Sequence, residues 1–219
     1  MVNILLKDFV GLYRYGLTCF FSELFHQEFG DTTRFSFEVT PDSVMRSDVI
    51  VLSLCQGESL LHLPEFRIKR QVVVLGFVDD ESRISASSAC LQRMVYISRR
   101  ASLSELHQRI CRAWRKKGSM DCFLPEASCF ECQTKTITPQ QARVMVCLYK
   151  GMSAAQISRF LKIDYKTVFN HKYLLMRKFD LRSDFELLAL LNRLAGKETC
   201  PNRFRECLER GDVDGLYPE

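Results

Sequence analysis

No apolar run in these 219 residues approaches the roughly 18 that a membrane-crossing helix needs, so no membrane span is expected. The first residues lack a basic segment followed by an apolar core and a small-residue cleavage site, which argues against secretion. A glycine-rich phosphate loop is missing, and so is a nucleophile elbow. With only four scattered histidines besides, no catalytic residue and no cofactor are assigned, and an enzyme is not expected. Ten cysteines occur without a regular framework, which in a chain this long reads as reduced, buried thiols of a cytoplasmic protein. One C-x-x-C pair exists, Cys129 and Cys132, with Cys122 upstream. That spacing suits half a zinc site or a redox pair, but no second C-x-x-C or histidine pair completes a tetrahedral site, so no metal is assigned.

Charge is distributed unevenly. Residues 135–197 hold twelve Lys and Arg against four Asp and Glu, a net of +8, whereas the whole chain is +5; the remainder is therefore at −3. Basic charge concentrated on one small unit points to a polyanionic partner. The same stretch is dense in helix-start signals. Thr138-Pro139-Gln140-Gln141 and Ser153-Ala154-Ala155-Gln156 read as capping boxes, as does Ser183-Asp184-Phe185-Glu186. Asp164 is placed to cap the next helix, and Gly151 to stop the preceding one. Helices are expected over 139–149, 154–161, 165–179 and 184–195, joined at Lys162-Ile163-Asp164 by a connection short enough for a helix-turn-helix. In the third of them Val168, Leu175 and Phe179 form an apolar stripe. Off that stripe lie Lys166, Asn170, Lys172, Tyr173, Arg177 and Lys178. Cations near phosphates give affinity, and Asn and Lys can pair with adenine and guanine edges. This helix is expected to read double-stranded DNA with its first two turns.

Ile137-Thr138-Pro139, Gly151-Met152-Ser153, Gln156-Ile157-Ser158, Lys166-Thr167-Val168-x-x-His171 and Arg177-Lys178-Phe179 resemble the LuxR/FixJ-type DNA-binding domain of bacterial transcription regulators. Gln-Ile-Ser, Lys-Thr-Val-x-x-His-Lys and the missing family acids are most similar to auxiliary regulators of the RcsA and BglJ kind. The resemblance implies base contacts from Lys166 and Asn170 and backbone contacts from Thr167, Lys172, Arg177 and Lys178, with His171 packing inside the domain. Phe169 stands where the family commonly has a basic residue, so its base contacts do not transfer.

Upstream, short apolar strands alternate with helical segments. Strands are expected over 2–6, 34–39, 48–53, 71–78 and 95–97, with helices over 11–29, 41–46, 58–66, 81–92 and from Leu103 to about Lys116 behind the Ser102-x-x-Glu105 cap. That alternation predicts an α/β domain, a parallel five-stranded sheet in flavodoxin-like order. The architecture, Arg14-Tyr15-Gly16-Leu17 and Arg100-Ala101-Ser102-x-x-Glu105-Leu106 resemble the receiver domain of response regulators. The chemistry does not follow. A receiver needs clustered carboxylates to hold Mg²⁺ and an Asp to accept phosphate. Here Asp8 is the one acid after the first strand, Ser53 ends the third, Gly76 stands where a hydroxyl would sense phosphate, and Arg99 replaces the lysine. A degenerate phosphorylation site is expected at these four positions. The acidic triplet 79–81 reads as a helix start or solvated turn.

The expected organisation is a degenerate receiver-like domain over 1–116, a linker over 117–136, an all-α helix-turn-helix domain over 137–196 and a tail over 197–219. Within the tail, 203–210 read as a short amphipathic helix that packs either on the last domain or on a partner. The expected function is sequence-specific DNA binding, with a receiver-like domain that acts without aspartyl phosphorylation. The resemblance implies a homodimer or a heterodimer with a response regulator such as RcsB. The alternative is an interaction module that sequesters or modulates such a regulator without touching DNA.

Overall fold

The computed structural model describes residues 1–7, 9, 11–58, 72–84, 94–117, 137–196 and 202–210. Asp8, the Cys129–Cys132 pair, nearly all of the expected linker and most of the expected helices 58–66 and 81–92 lie outside the described residues. The chain divides into two compact units, one of Met1–Leu54 and His62–Gln133, the other of Cys55–Leu61 and Thr134–Glu219.

The first unit is built on strands β1 (Val2–Lys7), β2 (Thr33–Ser36), β3 (Val49–Ser53), β4 (Val73–Val78) and β5 (Val95–Ser98). Every neighbouring pair is parallel and the order is β2-β1-β3-β4-β5, the flavodoxin-like order expected. All five residues of β3 are buried, as a central parallel strand covered on both faces requires. Alternate side chains separate two cores. Ile4, Leu6, Val49, Val51, Leu75 and Phe77 meet helices α1 (Gly11–Phe29) and α3 (Leu103–Lys116) on one face. Leu5, Ile50 and Leu52 meet Val44 of helix α2 (Pro41–Arg46) on the other. The edge strand β2 stops at Ser36, short of the expected 39; Phe37 beyond it is half-exposed with the Arg14 guanidinium 4.9 Å above its ring. Where a helix over 81–92 is expected, the described part is a 3-10 turn, Glu81–Arg83, capped by Asp80, whose carboxylate accepts from the Ser82 N–H at 2.9 Å.

The second unit is helical: α4 (Pro139–Tyr149), α5 (Ala154–Leu161), α6 (Tyr165–Lys178), α7 (Asp184–Gly196) and α8 (Arg203–Glu209). Both full capping boxes form. The Thr138 and Gln141 side chains each accept the other's backbone N–H, and Ser153 and Gln156 do likewise. The third is only half a box. Ser183 accepts the Glu186 N–H at 3.2 Å, but the Glu186 carboxylate reaches one residue further back, to the Arg182 N–H at 2.7 Å. Gly151 takes φ +81°, the left-handed stop expected of it. The alternatives for the tail helix resolve in favour of this unit. Phe204 of α8 is fully buried, packs edge-on against Tyr149 at 5.6 Å, and follows Asn202, which donates to the Leu194 carbonyl at 2.6 Å. Gly57, at φ +81°, allows close approach to Phe179; a Cβ there would lie 2.9 Å from the Phe179 carbonyl oxygen.

Asp48 fastens the start of β3 to its surroundings. Its carboxylate accepts from the Asn3 N–H at 3.1 Å and from Lys117 Nζ at 2.9 Å, while Lys117 also lies 4.2 Å from the Trp114 ring centroid. Burial pushes the Asp48 pKa up, but the hydrogen bonds from Asn3 and Lys117 outweigh it and hold the group below the ordinary aspartate value. A depressed carboxylate stabilises the fold above its unfolded pKa and loses that contribution as pH falls through the folded value. Asp48→Asn is therefore expected to destabilise the protein at pH 7, by under about 1 kcal/mol given its partial exposure. Urea denaturation should show the difference shrinking as pH falls through and below the ordinary aspartate range.

Candidate nucleic-acid interface

The geometry of α6 starts with its turn. α5 ends at Lys162, which takes the left-handed conformation at φ 52°, ψ 45°. The Ile163 N–H donates to the Ser158 carbonyl at 3.1 Å, and the Ser158 hydroxyl donates to the Ile163 carbonyl at 2.6 Å, closing the connection. Asp164 then caps α6, its carboxylate accepting the Lys166 N–H at 2.7 Å. A negative group at this end also opposes the helix dipole. Val168, Leu175 and Phe179 are buried among residues of α4, α5 and α7, including Val144, Ile157 and Leu191. This stripe sets the rotation of α6 about its axis.

The opposite face is thereby turned outward. Lys166, Asn170, Tyr173 and Arg177 follow i, i+4, i+7, i+11 spacing and all are exposed. Among the described residues, Lys166 and Asn170 make no side-chain hydrogen bond or ion pair within the unit. The other sequence-predicted residues sit differently. Thr167 and Lys178 are half-buried on the flank. Lys172 turns toward α7, where its ammonium pairs with Asp184 at 2.6 Å with only 20% of the side chain exposed. His171 is half-buried, as expected for a packing role. Of the aromatic ridge on this helix, sequence reasoning gave a role to Tyr173 alone and none to Tyr165 or Phe169: the three are 49% (Tyr165), 44% (Phe169) and 61% (Tyr173) exposed, and the Tyr165 and Phe169 rings meet edge-on at 4.9 Å. Their i, i+4, i+8 spacing was the available signal. Behind the face, burial and then the nearby Cys207 push the Cys147 thiol up to about 11, consistent with a reduced core thiol.

In the first unit, Ser53 and Arg99 come together at the carboxyl end of the sheet. One Arg99 nitrogen donates to the Ser53 hydroxyl at 2.8 Å and to the Leu54 carbonyl at 3.0 Å; the other donates to the Asp79 carboxylate at 2.5 Å. Gly76, on β4, has Met94 against its α-carbon, so a side chain there would have to displace Met94 and would also meet Leu54. Phe9 stacks on Tyr13 at 5.7 Å, and both meet Phe77 edge-on, at 5.6 and 6.3 Å. Burial raises the Tyr13 phenol above its usual pKa, against the opposing charge of Arg99. Glu81 of the acidic triplet accepts from the Ser98 N–H at 2.5 Å and pairs with Arg109 at 2.7 Å, so two of the three acids bind internal partners and the third, Asp80, is a cap. Among the described residues, one group has metal-capable donors close together, Glu28, His107 and Cys111. Glu28 there already meets His107 at 3.3 Å and the Arg115 guanidinium at 3.2 Å, which accounts for the cluster without an ion.

Residues 135–191 match the family model described as bacterial regulatory proteins, luxR family. Among solved structures, RcsB from Salmonella enterica serovar Typhimurium, bound to a promoter in the presence of a phosphomimetic, superposes with a TM-score of 0.52 at 16% identity, covering 87% of this chain and 97% of that one. A second RcsB–DNA complex gives 0.49 at 16% identity, over 87 and 98%. Full-length FixJ from B. japonicum gives 0.38 at 16%, over 88 and 96%. No curated protein matches the chain in sequence. The architecture is thus an α/β receiver-like unit joined to an all-α, LuxR-type helix-turn-helix domain, as expected.

Arg99 is the group whose replacement most directly tests the first unit's geometry. A lysine keeps the charge but cannot fork to Ser53, Leu54 and Asp79 together. Arg99→Lys is expected to lower stability in urea unfolding by about 1–2 kcal/mol.

Proposed function

We propose that this chain is a transcription regulator that reads DNA through the outer face of α6. The observation that carries the reading is the division of one helix. Val168, Leu175 and Phe179 are buried, while Lys166, Asn170, Tyr173 and Arg177 are exposed and cationic or hydrogen-bonding. The match of residues 135–191 to the luxR family supports it, since that family consists of bacterial regulatory proteins. In this reading α6 enters the major groove, Lys166 and Asn170 face base edges, and Thr167, Tyr173, Arg177 and Lys178 flank the backbone. Lys172 reaches a phosphate only by exchanging Asp184 for it, which makes it the weakest of the set.

The receiver-like unit works, in this reading, without aspartyl phosphorylation. Ser53 offers a hydroxyl bonded to Arg99, not a carboxylate, and Arg99 is already occupied by Ser53, Leu54 and Asp79. The ring of Tyr13 is stacked on Phe9 beside Phe77. Among the described residues, the end of β3 offers a phosphoryl group a serine hydroxyl in place of a carboxylate. The unit instead serves dimerisation, with itself or with a response regulator such as RcsB, because one helix-turn-helix contacts only a half-site. The resemblance to RcsA- and BglJ-like auxiliary regulators favours the heterodimer.

Gel-shift and footprinting with promoter fragments, with and without RcsB, test the reading; no sequence-specific shift under either condition contradicts it. Replacing Lys166 and Asn170 by Ala is expected to reduce discrimination between operator and random duplex at least tenfold while non-specific affinity changes far less. Unchanged footprints would remove both from base reading. Incubation with acetyl phosphate and Mg²⁺ is expected to yield no acyl phosphate by intact-mass measurement, and a stable adduct of one phosphoryl group would refute the phosphorylation-independent mechanism.

A further inference from the structure

The aromatic ridge on α6 has no role in the fold that explains its exposure. Tyr165, Phe169 and Tyr173 succeed one another at i, i+4, i+8, each more than two-fifths exposed. Phe169 is the middle one and the only one of the three without a hydroxyl. It is the fifth residue of α6, within the first two turns, three residues on from Lys166 on a neighbouring part of the surface and next to Asn170 in sequence. Tyr165 fixes its ring from the side, edge-on at 4.9 Å, so the free face of the phenyl is held in place rather than left to sweep.

A phenyl ring neither donates nor accepts a hydrogen bond, so it cannot pair with the polar atoms of a base edge. The major groove displays one apolar feature, the C5-methyl group of thymine. A fixed aromatic surface one turn from a cation is complementary to a methyl group set among phosphates and polar edges. The flanking positive charge of Lys166, and of Arg177 further along the face, makes an apolar protein surface a poor occupant and a polyanion a good one.

We propose that Phe169 is a specificity-determining residue that reads a thymine methyl in the major groove, with Tyr165 as its positioning residue. The proposal rests on the DNA-reading role given to α6 above. It places at least one thymine within the part of the site read by the first two turns, next to the base met by Asn170. Burial of one methyl-sized group sets the expected effect at about fourfold in affinity.

The test begins with selection of bound sequences from a randomised duplex library by the full-length chain, alone and mixed with RcsB. Each thymine of the enriched site is then replaced by deoxyuridine, which removes the methyl and nothing else. The expected result is a loss of about fourfold at one or two thymines for the wild type, and no loss at those positions for Phe169→Ala. Phe169→Leu, which keeps an apolar surface, should retain part of the discrimination. Tolerance of uracil at every position by the wild type, or an equal loss in Phe169→Ala, overturns the proposal and leaves the DNA-reading role standing. Failure to enrich any sequence overturns both. Thermal unfolding of Phe169→Ala, at a half-exposed position, should match the wild type, so lost discrimination will not reflect lost fold.

Discussion

The burial of Val168, Leu175 and Phe179 is the constraint on which the candidate interface depends. A helix has one rotation about its axis once a stripe of its side chains is buried, and here Leu175 and Phe179 have no exposed surface at all. Truncating such a residue typically costs about 2–5 kcal/mol, a large part of the ~5–15 kcal/mol that holds a domain together. Every outward residue of α6 inherits its direction from that packing. The left-handed Lys162 and the Asp164 cap then fix where the helix begins, and with it which side chains occupy the first two turns.

The receiver-like unit obeys a different constraint. A parallel sheet gathers the carboxyl ends of β3, β4 and β5 at one edge, which is where ligands of open α/β folds bind. Among the described residues, that edge is held by internal partners. Arg99 spans Ser53, Leu54 and Asp79, while Glu81 takes the Ser98 N–H and Arg109.

Much of this was legible beforehand, for identifiable reasons. The strands β1, β3 and β4 are rich in Val, Ile and Leu, interrupted in β1 by Asn3 and in β4 by Gly76, and so apolar a stretch has few alternatives to a central parallel strand. The helix starts at Thr138, Ser153 and Asp164 rest on side chains that bond their own backbone, so three or four residues suffice to see them. What escaped depended on partners far away in the chain. Nothing near Lys172 announces that Asp184 will claim it, and nothing near Arg99 announces Asp79 twenty residues earlier. The alternation of Phe35 and Phe37 extends the expected edge strand past Ser36, where β2 ends, because nothing local shows that Phe37 is left half-exposed under Arg14. Glu186 was assigned to its own box and instead reaches back to Arg182, a choice between adjacent N–H groups that spacing alone does not make.

Site-specific photocrosslinking tests the central claim most directly. A benzophenone side chain placed at Tyr173, exposed on the same face but not itself assigned to base reading, would be irradiated in the full-length chain in the presence of promoter duplex and RcsB. Adducts to bases of the protected half-site are predicted, suppressed by unlabelled operator but not by random duplex. Adducts only to protein, or to DNA without regard to sequence, would contradict the account of α6 as the helix that reads the groove.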